Sequence, residues 1–183
     1  MTVQIGLKNN MKKTFLFFII LVLFIGCHIT QKKKIHYLST LENIKTFPLN
    51  KSDSIKVYNI KLSSEKALEE CEKRPNSNCI DDIGIRSIYA TFLNGISNFR
   101  MILFNNFKVP KNAQIGENRV RITIGTQDNL EDVEILKYTD ENTKKTIEDV
   151  FKLEELNTWK SAKIYGIPVK EQFEISIFIE NKK

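Results

Sequence analysis

A change of hydrophobic period in the middle of the chain fixes what it can fold into. From Ile83, the stretch IGIRSIYATFLNGISNFRMILFNNF places Ile85, Ile88, Phe92, Ile96, Phe99, Leu103 and Phe107 at steps of three or four, one apolar stripe along a helical face. Gly95 interrupts it and reads as the point where one helix closes and a second begins. Pro110 ends the region, and beyond it the period drops to two. In RVRITIG, Val120, Ile122 and Ile124 share one face while Arg119, Arg121 and Thr123 share the other. TQDNL supplies turn residues and EDVEILKY a second strand, so the pair predicts an antiparallel hairpin. DENTKKTIEDVFKLEELN restores the helical period, with Asp140 as N-cap and Ile147, Val150 and Phe151 on one side. The chain closes on WKSAKIYGIPVKEQFEISIFIENKK. Here Trp159 precedes a turn at Gly166 and Pro168 and a strand with Phe173, Ile175, Ile177 and Ile179 on its inner face and Gln172, Glu174, Ser176, Phe178 and Glu180 on the other. The expected fold is α+β: a small antiparallel three-stranded sheet with helices packed on one face.

The other end of the chain bears on where it works. MKKTFLFFIILVLFIGC, from Met11, joins two lysines to an apolar run and a Gly26-Cys27 junction, the layout of a secretory signal. The run falls short of the roughly 20 apolar residues a spanning helix needs. FIGC resembles a bacterial lipobox, which implies lipidation of Cys27 as the new N-terminus; the alternative is an uncleaved short anchor. The expected location is the cell envelope, as a membrane-anchored lipoprotein facing the periplasm.

Charge and cysteine usage fit an exported protein without adding a nucleic-acid surface. Residues 1–26 carry three lysines and no acid, so the net charge of +6 falls to +3 for the rest. Lys and Glu are interspersed after residue 50, with no basic stripe among exposed aromatics, which speaks against nucleic acid as a partner. QKKK at Gln31 to Lys34 reads as a solvated tether. Besides Cys27 the cysteines are Cys71 and Cys79, in CEKRPNSNC, whose interior is rich in turn formers. In an oxidising compartment they predict a disulfide. Two cysteines without a second pair or a neighbouring histidine do not make a zinc site, and His28 and His36 both fall in the tether, so no metal is expected.

Between tether and stripe, SIKVYNIKL (Ser54 to Leu62) alternates as a strand would, and SSEKALEECEK follows as a helix with Ser63 or Ser64 as N-cap. The expected organisation is residues 1–26 as extension and signal, 27–50 as lipidated cysteine and tether, 51–103 as an extension with paired cysteines and helices, and 104–183 as the α+β domain.

From Phe104 to Glu180 the order of parts resembles the C-terminal domain of TonB-type energy transducers, in the divergent form of Bacteroidetes-like bacteria. Phe107, Pro110, Ala113, Val120, Val133, Trp159, Gly166, Pro168, Val169 and Phe173 fall on that family's positions, with Trp159, Gly166 and Pro168 as its signature. The resemblance covers about 75 residues. It lacks the Asp-Gly of the family's hairpin turn, the membrane helix that engages the inner-membrane motor and the long Pro-rich spacer. It implies that the last strand offers its edge, Val169, Lys170, Glu171, Gln172, Phe173, Glu174, Ile175 and Ser176, to an extended N-terminal segment of an outer-membrane transporter, main-chain hydrogen bonds supplying affinity. Lys170, Glu171 and Glu174 read otherwise as charges protecting a free edge. Trp159 reads as a packing residue beneath the last strand. A second copy of the chain, by strand exchange, is a further partner to consider.

Catalysis has little to stand on. The sequence holds no Gly-rich phosphate loop and no metal-spaced cluster, and the domain from 104 onward has no histidine to act as a base. Asp81, Asp82, Glu148 and Glu154 read as solvated acids. The expectation is a non-enzymatic, cofactor-free binding protein that assists TonB-dependent transport, or alternatively a passive periplasmic lipoprotein that uses the fold as an interaction scaffold.

Overall fold

The computed structural model describes residues 33–79 and 87–182; the lipidation expected at Cys27 and the segment 1–26 lie outside the described residues. In chain order the elements are β1 (Lys34–Leu38), β2 (Glu42–Pro48), α1 (Lys51–Glu72), β3 (Ser87–Ile88), β4 (Thr91–Phe92), α2 (Ile96–Asn106), β5 (Gly116–Ile124), β6 (Leu130–Lys137), α3 (Glu141–Val150), a 3-10 turn at Glu154–Leu156, β7 (Trp159–Lys160), β8 (Ala162–Ile164) and β9 (Ile167–Asn181). The fold is α+β and its strand pairs are antiparallel, but the main sheet has seven strands rather than three, and β4 and β7 make a second, two-stranded sheet.

The 15-residue β9 organises the sheet. On one edge it pairs with β5, from Glu171 opposite Ile124 to Ile179 opposite Gly116, and β5 pairs in turn with β6 as the expected hairpin. β8 folds back on residues 167–169 through a tight turn in which Tyr165 and Gly166 both take positive φ, 50° and 79°. That is the left-handed pair a two-residue hairpin needs, and glycine supplies one of its positions without strain.

Parity along the strands decides what is buried. Phe173, Ile175, Ile177 and Ile179 of β9 and Val120, Ile122 and Ile124 of β5 are fully enclosed and meet Phe99 and Leu103 of α2 and Ile147 and Val150 of α3 in one core. Asp140 caps α3, accepting the Thr143 N–H at 2.9 Å, as the sequence predicts. Trp159 lies in this core as expected: Phe92, Phe99 and Phe173 approach its ring at centroid distances of 5.1, 5.2 and 5.6 Å, and its Nε1 donates to the Leu156 carbonyl at 2.9 Å. Tilted and edge-to-face arrangements like these suit aromatic quadrupoles.

Three expectations are corrected. The alternating stretch Ser54 to Leu62 is helical, part of the 22-residue α1, whose N-cap is Asn50 rather than Ser63 or Ser64; the Asn50 side chain accepts the Asp53 N–H. Capping and a run of good helix formers outweigh a period-two pattern that finds no strand to pair with. Before Gly95 the described residues form the short strands β3 and β4, so α2 is a single helix that begins after Gly95. The stretch 34–48, expected within a tether, belongs to the sheet. Cys71 and Cys79 are bridged, with Cα atoms 5.9 Å apart, tying the last turn of α1 to the loop after it.

Candidate functional site

The edge of β9 expected to accept a partner is already paired. β2 takes Glu174, Gln172, Glu171, Lys170 and Val169, and β1 takes Ile177 to Asn181. Since β5 pairs with Glu171, Gln172, Glu174 and Ile177 to Ile179 as well, β1 and β2 must lie on the opposite edge. Between them Ser39 closes the gap: its N–H donates to the Ser176 carbonyl, and its Oγ accepts the Ser176 N–H, both at 2.9 Å. Val169 to Ser176 is therefore an acceptor edge whose occupant is the chain's own segment 42–48, continued by Ser39. Ile175 and Phe173 contribute enclosed core side chains rather than exposed contacts.

The two halves of this segment are held unequally. In β1, His36 sits against the rings of Phe104 and Phe107, at 4.5 and 5.0 Å, with Nε2 3.0 Å from the Phe104 carbonyl; burial holds its imidazole below the usual pKa. The residue assigned to a solvated tether is thus part of the folded unit. Tyr37 stacks on Phe178 at 4.9 Å and donates to Glu180, Lys34 donates to the Ala113 carbonyl, and Arg100 donates to the Leu38 carbonyl at 3.1 Å. In β2, Glu42 to Lys45 and Phe47 are exposed, and Asn43, at φ 53°, breaks the register. A left-handed residue in a strand is a bulge, which weakens the ladder locally. β2 is the loose end.

The solvent face of β9 and β5 carries a linked set of ions. Glu174 receives Arg121 at 2.9 Å and the Asn43 amide at 2.8 Å, and these donors hold its carboxyl below the usual range. Glu117 is bound by Arg119 at 2.7 Å, by the Ser176 hydroxyl at 2.7 Å and by Lys137 at 3.0 Å, which push its pKa down to about 2. Lys170 pairs with Glu131. Glu174 and Lys170, read from sequence as edge protection, are engaged in these pairs.

Glu171 has a different position. Its odd number puts it in the row of Val169, Phe173 and Ile175, facing the core, and it is 3 % exposed. Oε2 accepts the Ala90 N–H at 3.0 Å, and among the described residues it has no ion-pair partner, so burial raises its pKa. It borders a cavity of about 340 Å³. The walls include Leu41, Ile44, Ile96, Trp159 and Phe173, and Arg100 is the second ionic group. Arg100 Nε is closed off from water and has no partner among the described residues. Sequence reasoning missed this pair, although Glu171 carried a signal: a carboxylate in phase with an apolar row is either paired or functional.

Trp159, Gly166 and Pro168 serve the core and the β8–β9 turn. Among the described residues no group of three His, Cys, Asp or Glu side chains is placed to hold a metal ion, and no helix is long and apolar enough to cross a membrane. The chain matches no protein-family model, no curated protein sequence and no solved structure.

Proposed function

We propose that the protein is a cell-envelope docking module of the TonB C-terminal kind, in which the β9 edge receives an extended segment of an outer-membrane transporter in place of residues 42–48. The observation that carries this reading is that the edge already holds an extended segment from outside the core, weakly packed and bulged, along Val169 to Glu174. An incoming strand would reproduce the same main-chain ladder. The spatial order β6–β5–β9, built from hairpin, helix, buried Trp159 and a closing strand, supports the family likeness. Anchorage through Cys27 is part of the proposal and rests on the signal layout alone.

The resident strand lowers the apparent affinity, because it competes at the high effective concentration of a covalently attached ligand. Adjacent residues of a strand point their N–H groups to opposite edges, so the double variant Lys45→Pro/Thr46→Pro removes one donor to β9 whichever way β2 faces. Calorimetric titration of the full chain with a synthetic transporter box peptide should give at least tenfold tighter binding in this variant than in the wild type. A peptide of sequence ENIKTFPL, residues 42–49, should compete. A folded variant that binds neither peptide removes the docking reading. It would favour the passive periplasmic lipoprotein scaffold, for which a permanently filled edge is the expected state.

A further inference from the structure

The cavity beside Glu171 is not needed for strand docking, and its chemistry is unlike that of a core defect. Apolar voids are lined by apolar atoms alone. Here two oppositely charged groups border one apolar space without pairing with each other: the Glu171 carboxylate, satisfied on one oxygen by the Ala90 N–H, and the Arg100 guanidinium, with an unpartnered Nε. Glu171 is buried and Arg100 half-buried, with one guanidinium N–H already given to the Leu38 carbonyl; holding the Glu171 carboxylate and the Arg100 Nε without a counter-charge or acceptor costs stability in the free protein, the usual mark of groups placed for a ligand. The volume, about 340 Å³, lies at the small end of ligand sites.

We propose that this cavity binds a small zwitterion, an α-amino acid with an apolar side chain, its ammonium on Glu171, its carboxylate on Arg100 and its side chain against Trp159 and Phe173. A simple amine would leave Arg100 unpaired beside a second cation. A simple carboxylate would face Glu171. The zwitterion alone answers both charges, and the apolar walls take its side chain. Leu41 and Ile44, which precede and belong to β2, complete the wall. The ligand would therefore also brace the resident strand.

Trp159 is the sole tryptophan and lines the cavity, so its emission reports occupancy directly. The full chain is titrated with L-leucine, with 3-methylbutylamine, which lacks the carboxylate, and with 4-methylpentanoate, which lacks the ammonium. Fluorescence and calorimetry follow each titration. L-leucine should give a saturable change at one site per chain, with both analogues at least tenfold weaker. Glu171→Gln keeps an acceptor for Ala90 and, checked as folded by circular dichroism, should weaken L-leucine at least tenfold; Arg100→Met should do the same. Equal binding of the amine and L-leucine would overturn the zwitterion assignment, as would saturable binding unchanged in Glu171→Gln. The absence of saturable binding by L-leucine would overturn the site itself, leaving strand docking to its own test.

Discussion

Two glutamates on β9 and its neighbour show how one residue type takes opposite roles according to the face it occupies. Glu117 lies on the solvent face among Arg119, Ser176 and Lys137, which hold its pKa at about 2. The unfolded chain binds protons first as pH falls, so its contribution is complete above the usual carboxyl range and is lost on the way down to about 2. Glu171 lies on the core face, where burial raises its pKa and only the Ala90 N–H opposes that. Its sign is reversed: the unfolded chain releases the proton first as pH rises, so stability falls from the usual carboxyl range upward until the folded carboxyl has ionised. Glu171→Gln is therefore expected to stabilise the protein at pH 7, because the amide escapes the cost of burying a charge. The gain should shrink toward zero near pH 4. Urea unfolding of both forms at the two pH values measures it, and a variant less stable at pH 7 would mean that the carboxylate has a partner worth more than its burial costs.

At the scale of elements, legibility followed the number of constraints a segment satisfies at once. β5, β6, α3 and β9 were readable because each buries one face, so burial wrote its period into the sequence: Val120, Ile122 and Ile124 at every second place, Ile147 and Val150 on a helical side. β1 and β2 were not readable. Their partner lies more than 100 residues away, and their polarity does not follow their burial: in β1 the apolar Ile35 and Tyr37 are exposed while Lys34 and His36 are half-buried. Glu171 was misread because its charge suggested an outer position, although its parity with Phe173 pointed inward. α1 was misread for the converse reason: it has no fully buried residue, so packing imposed no helical period on Ile55, Val57 and Ile60. That exposure leads to a prediction about the disulfide. Closing a loop of eight residues stabilises by about 2–3 kcal/mol in the chain-entropy picture. This stabilisation falls on a helix that contributes little to the core. Reduction of Cys71–Cys79 should lower helical ellipticity at 222 nm and speed amide exchange over Leu68 to Lys73, while leaving the sheet's melting temperature within about 2 °C. A drop of several degrees in the whole transition would show that α1 melts with the sheet.

For the whole molecule, the pairing of 34–48 with β9 bears on the anchorage proposed at Cys27. A lipid on Cys27 would leave seven residues before β1 opens at Lys34, a reach of at most about 25 Å. The sheet would then stay close to its membrane instead of ranging on a 24-residue lead as the segment 27–50 would allow. A partner would have to arrive at that surface, and strand replacement could still proceed from the free side, because β2 follows β1 and only β1 is well fastened to the core. Replacement requires that β2 open without unfolding the rest. β9 and β5 carry the enclosed row Val120, Ile122, Phe173, Ile175 and Ile177, whose exposure amounts to global unfolding; within β2 itself only Thr46 and Pro48 are even half-buried. Native-state hydrogen exchange should therefore resolve two levels of opening. Hydrogen-bonded amides of β2 should exchange at least tenfold faster than those of the β5–β9 ladder, with β1 between them, and the gap should close as denaturant approaches the unfolding midpoint. If β2 amides exchange as slowly as those of β5, the segment opens only when the molecule unfolds. The edge of β9 would then be sealed to any partner strand, and the proposal of docking by strand replacement would fall.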